Sequence, residues 1–154
     1  MSTRARQLHD RADGQIAELA KRLSPDAGLA RPCPGRERLG DGSVGAVAAH
    51  TIDNYQRIAR FVAATREGGE QYHPSEHGEG YSASQVELDG LLARLAAARV
   101  ALATIAQLTD EQLDSVPPAG AMKFADGERT LGEIVASLLK HQRHQVDALT
   151  AALS

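Results

Sequence analysis

Residues 130–149 read TLGEIVASLLKHQRHQVDAL, and the fold follows from them. Thr130 followed by Glu133 is a capping box, in which each side chain satisfies a backbone amide of the first helical turn. Leu131, Ile134, Val135 and Leu138 come next, at the three- and four-residue spacing of one helix face. At about 100° per residue, Ile134, Leu138, His141 and Gln145 fall within about 60° of one another. The helix therefore turns His141 and Gln145 inward, and His144 sits about 80–100° away on the flank. A histidine on an apolar face needs partners for its ring nitrogens.

Working outward, the same periodicity recurs in three further segments. The first runs from about residue 3 to Leu23, with Leu8, Ala12, Ile16, Leu19 and Leu23 on one side. The second runs from near Ser43 to about Thr65, its inward stripe being Val44, Val47, Thr51, Asn54, Ile58 and Phe61 or Val62. Asp41 or Ser43 is placed to cap it. The third opens at Ser82 or Ser84 and continues to Leu108, aligning Leu88, Leu91, Leu92, Leu95, Ala98, Leu102 and Ile105. A short turn from Thr109 to Val116 stops at Pro117-Pro118. No run alternates β-branched or aromatic residues as a strand would. The reading is one all-α domain over residues 1–154, a four-helix bundle.

Three connectors, residues 24–42, 66–81 and 117–129, are rich in Gly and Pro. Each exceeds the roughly two to eight residues of a simple helix–helix turn. Long crossover connections are therefore expected, able to form the rim or lid of a site.

Composition excludes several functions. The chain of 154 residues carries a net charge of -3 with a pI near 6.1. Its 17 Lys and Arg are scattered, which argues against nucleic-acid binding. No apolar stretch approaches the roughly 20 residues of a membrane span. The opening MSTRARQLHDRADG has no apolar signal region, and the single Cys33 fits a reducing compartment, so a cytoplasmic location is expected. Without Trp and with only two Phe, the core must be built from small aliphatic side chains.

Six histidines are present: His9, His50, His73, His77, His141 and His144. His50 lies in the second helix, between Val47 and Asn54, at the edge of the inward stripe. One reading makes His50 and His141 interior histidines hydrogen-bonded to neighbours such as Asn54 or Gln145. The other makes them ligands of a divalent transition metal, because neutral imidazoles from facing helices are how bundles build first-row metal sites. His and Gln suit zinc, nickel and iron alike.

The segment GSVGAVAAHTIDNYQRIARFV (42–62) resembles the second helix of the DinB-like family, and RTLGEIVASLLKHQRHQVDAL (129–149) resembles its last helix. Between them, LLARLAAARVALATIAQLTDEQLDSVPP (91–118) is similar to the third helix and following turn. The resemblance implies a three-histidine metal site in which His50 matches the first ligand and His141 the second. Gln145 stands where the family has its third histidine. Either Gln145 ligates through its amide oxygen, His144 swings in from the flank, or the site has lost its metal. The resemblance further implies a transferase or isomerase acting on a small-molecule substrate. In such an enzyme the metal lowers the pKa of a low-molecular-weight thiol. Asn54, one turn after His50, would be a second contact to metal ligand or substrate.

His73 and His77 lie in QYHPSEHGEGY (71–81), where Pro74 disfavours a regular helix. They are either exposed loop residues or part of a loop that folds over the site and contacts substrate. Cys33, in RPCPG, reads as incidental, and Arg36 and Arg38 as solvated surface charges. A ferritin-like di-iron centre is excluded, since the only Glu-x-x-His, Glu70 to His73, is in the wrong kind of segment. No nucleophile elbow or phosphate-binding glycine loop occurs. Two classes remain: a metal-dependent enzyme, and a non-catalytic bundle acting as a homodimer or small-ligand binder.

Overall fold

The structure, a computed structural model, describes residues 2–67 and 81–154. Its helices are α1 (Thr3–Arg22), α2 (Val44–Glu67), α3 (Leu88–Leu102), α4 (Asp110–Asp114) and α5 (Leu131–Leu153). Four are long and form the bundle; α4 is a single turn. Among the described residues no strand occurs, only an isolated bridge between Pro32 and Ser43.

Helices α1, α2, α4 and α5 begin where side chains take up their first amides, whereas Glu87 at the start of α3 makes no side-chain cap bond. Ser2 caps α1 through the Ala5 amide. Ser43 Oγ accepts from Ala46 at the start of α2, while Asp41 accepts from the Ser43 amide one step earlier. Thr130 and Glu133 form the expected reciprocal box on α5, and Thr109 and Gln112 form another on α4.

The third helix departs from its sequence reading. Ser82 and Gln85 cap a single 3-10 turn, Ala83–Gln85. Val86 and Glu87 are then extended, so α3 starts only at Leu88. It also ends early, at Leu102, and continues as a 3-10 helix from Ala103 to Gln107. The apolar spacing through Ile105 survives this change because a 3-10 turn keeps every third residue on one side.

Packing partners give the topology. α1 rests on α5 and α3, and α2 rests on α3 and α5. The four long helices therefore form a ring in the order α1, α3, α2, α5. Consecutive helices α1 and α2 lie across the diagonal, as do α3 and α5. The connectors after α1 and after α3 must cross an end of the bundle, which is why they are long. α1 and α5 run in the same direction: Gln15 meets Leu139, and Glu18 meets Arg143 one turn further along both.

The core is aliphatic, from Leu8, Ile16 and Leu19 on α1 to Leu131, Ile134, Leu139 and Leu149 on α5. Tyr55 and Phe61 are its largest fully buried side chains. α2 is buried on nearly all sides, taking in Ala48, Ala49 and Ile52 as well as the anticipated stripe. Its circumference opens outward in part, including the face that carries His50, Asn54 and Arg57. That face is where the site lies. No described helix is long and apolar enough to cross a membrane.

Candidate functional site: a cleft between α2 and α5

A cleft of about 230 Å³ opens between α2 and α5. His50, Asn54 and Arg57 project into it from α2, at the four- and three-residue steps of one helix face. Leu138, His141 and Gln142 face it from α5, and Met122 and Lys123 close it from the connector before α5. Its size falls below the roughly 300–1,000 Å³ of pockets for drug-sized ligands, so it suits a small molecule.

Both cleft histidines are held neutral. Burial pushes the His50 imidazole below its ordinary pKa, Arg57 and Lys123 push it the same way, and Asp53 opposes them. Asp53 is already engaged by Arg94 and by the Tyr81 hydroxyl. His141 is lowered first by burial, then by Lys123, His50, Arg36 and His144. His50 thus acts on His141 across the cleft.

Asn54 acts on His50 directly. Its Nδ2 lies 3.3 Å from His50 Nε2, and its Oδ1 accepts from Arg57 Nη1 at 3.5 Å. The guanidinium can only donate, so the amide oxygen faces Arg57 and the amide nitrogen donates to His50. Nε2 is then the unprotonated nitrogen, and the proton sits on Nδ1.

His144 and Gln145 are not among the residues lining the cleft. His144 is exposed. Gln145 is buried, with its Oε1 accepting from Arg36 Nε. Arg36 Nη2 reaches the His144 carbonyl at 3.4 Å, and Nη1 donates to Gly35. Arg36 is therefore not the solvated charge its sequence suggested: the crossing connector returns over α5 and pins its guanidinium there. Arg38 is exposed as expected. His73 and His77 lie outside the described residues. Cys33 is fully buried, with its thiol pushed up by burial.

Two of the four sequence candidates for metal ligation fit a first-row ion. His50 and His141 are neutral imidazoles on facing helices, the ligating form. Gln145 does not fit as it stands, because the oxygen that would ligate is occupied by a cation. No group of three or more His, Cys, Asp or Glu side chains able to hold a metal occurs among the described residues.

Four cleft residues escaped the sequence reading: Arg57, Gln142, and Met122 and Lys123 of the connector. Arg57 had a signal, being seven residues after His50 on the same face. Gln142 neighbours His141, yet Leu138 four residues earlier marked it as core. Lys123 had none, since only the path of the connector brings it here. That path includes Phe124 at φ 73°, a left-handed conformation costing a non-glycine residue about 1–3 kcal/mol. Lys123 Nζ and the Arg129 guanidinium lie 5.3 and 5.9 Å from the Phe124 ring centroid.

A four-helix bundle with crossing connectors and two neutral histidines in a side cleft defines a class of small helical proteins built around an inter-helix site. The family model for the DinB superfamily matches residues 8–146, nearly the whole chain, and the protein belongs to that superfamily. No curated protein and no solved structure matches it.

Proposed function

We propose that the α2–α5 cleft is where this protein acts on a small molecule, and that His50 and His141 together hold a divalent first-row metal ion there. The observation that carries this is the convergence of two neutral imidazoles, from facing helices, on one small cleft. Two protein ligands leave the remaining coordination positions to the substrate and solvent. When bound, such a metal would stabilise the thiolate of a low-molecular-weight thiol, the chemistry of a thiol-dependent transferase or isomerase.

The chain's own residues have separate tasks. Asn54 sets the His50 tautomer by occupying Nε2, so it must turn aside if that nitrogen is to ligate. Met122, Ile58 and Leu138 form the apolar wall that excludes water. Arg57 and Lys123 supply positive charge at the cleft.

A second reading, a small-ligand binder without metal, is favoured by one observation: Arg36 holds the oxygen of Gln145. Elemental analysis of tag-free protein, beside a His50→Ala/His141→Ala double variant, separates the two. The metal reading expects about one first-row ion per chain, lost in the variant. An empty wild-type protein, even after incubation with zinc or nickel, would leave the binder.

A further inference from the structure

We infer that the cleft is built for a small organic anion bearing an apolar segment and a hydrogen-bond donor. This goes deeper into the proposed function, since it rests on the same cleft, but it depends on different side chains.

The charge comes first. Arg57 and Lys123 both line the cleft, and among the described residues neither has a carboxylate partner. Among the described residues Arg57 makes the long contact to Asn54, and Lys123 lies over the Phe124 ring. Outside the cleft, Arg4, Arg94, Arg99, Arg129 and Arg143 meet Asp or Glu, while Arg31 and Arg36 meet backbone or amide oxygens. Two cations beside two neutral imidazoles, with the nearby Asp53 engaged by Arg94 and Tyr81, leave positive charge for a ligand to answer.

The second observation is an orphan. Gln142 is 1% exposed and lines the cleft. Its Nε2 donates to the Thr51 carbonyl at 2.8 Å, which fixes the amide's orientation. Its Oε1 is then left as a buried acceptor with no partner among the described residues. Buried polar atoms are normally paired. An acceptor in this position fits a ligand hydroxyl, amine or amide N–H. Carboxylate oxygens cannot satisfy it, so the ligand's donor must be a group distinct from its charge.

Shape supplies the third requirement. Ile58, Met122 and Leu138 add an apolar surface to the lining of the same cleft. An anion without an apolar body would leave that surface wet, and a neutral apolar molecule would leave two cations unanswered.

Mandelate carries all three features, whereas mandelamide lacks the charge and phenylacetate lacks the hydroxyl. Calorimetric titration of the full chain, stripped of metal by a chelator, should find mandelate binding about tenfold or more tighter than mandelamide. Phenylacetate should be several-fold weaker than mandelate. Arg57→Met/Lys123→Met should abolish the preference for the acid over the amide. Gln142→Met should abolish the preference for mandelate over phenylacetate. Arg57 is half-buried and Lys123 exposed, so the charge-removing variant keeps its core. Equal binding of acid and amide, retention of the acid preference in the double variant, or no binding by any of the three would overturn the inference. Because the protein is metal-free throughout, loss of the metal reading would leave each of these outcomes unchanged.

Discussion

The guanidinium of Arg36 donates through Nε to the side-chain oxygen of Gln145, and through Nη2 to the backbone of His144 one residue earlier. A residue in the crossing connector thereby occupies the position where the family resemblance places a third ligand. The second helical turn after Leu138 is closed by a cation instead of opening to one.

Restoring histidine at that position should restore affinity only if the cation leaves with it. Gln145→His alone should gain little zinc affinity, because Arg36 remains beside it. Gln145→His/Arg36→Met should bind zinc about tenfold or more tighter than the single variant. Competition with a chromophoric chelator measures both. Equal affinities would mean that Arg36 does not govern this position.

Asn54 competes for His50. Its amide nitrogen donates to Nε2 at 3.3 Å, so Asn54→Ala should free that nitrogen and raise zinc affinity severalfold. Weaker binding in this variant would instead make Asn54 a residue that orients His50 for the metal.

The fold has its own polar anchor. Tyr55 donates to Gln15 Oε1 at 2.6 Å, and Gln15 Nε2 donates to the Leu139 carbonyl at 3.0 Å, all of it buried. Tyr55→Phe leaves the Gln15 oxygen without its donor, which should cost about 1–3 kcal/mol in urea unfolding. An unchanged midpoint would mean that water replaces the hydroxyl.

Stability should fall with acid in a way traceable to the cleft. Burial lowers both His50 and His141 below the ordinary histidine value of 6.5. The unfolded chain then binds more protons than the folded one as pH drops past that value. Their contribution is complete above about pH 6.5 and is lost progressively below it. Urea midpoints of metal-free protein at about pH 7.5 and about pH 5.5 should differ more for wild type than for His50→Ala/His141→Ala. Equal differences would place the acid sensitivity elsewhere.

Much of the bundle was legible in sequence because helix starts and apolar spacing are local properties. Thr130 and Glu133 announced α5, and Leu8 to Leu23 announced α1, to within a residue or two. The break between Gln85 and Leu88 was not legible, since serines that cap a 3-10 turn look like serines that cap an α-helix. At the site, His50, Asn54 and His141 share a cleft because each sits on a face that periodicity defines. Lys123 and Arg36 arrive through crossing connectors, whose course depends on packing remote in sequence. That is why one was missed and the other was read as a surface charge. The placement of Gln142 was hidden for a different reason, since a glutamine on an apolar face looks the same whether or not its oxygen has a partner.

The central claim, that His50 and His141 act together on one metal ion, is tested most directly by histidine side-chain NMR during zinc titration. Long-range proton–nitrogen spectra at neutral pH separate the ring nitrogens of each histidine and report tautomer and ligation together. The account expects neutral His50 and His141 rings, with Nε2 of His50 unprotonated before zinc is added. The signals of both should then shift over the same zinc range, to completion at about one equivalent. Independent shifts, or shifts confined to other histidines while these two stay fixed, would contradict it.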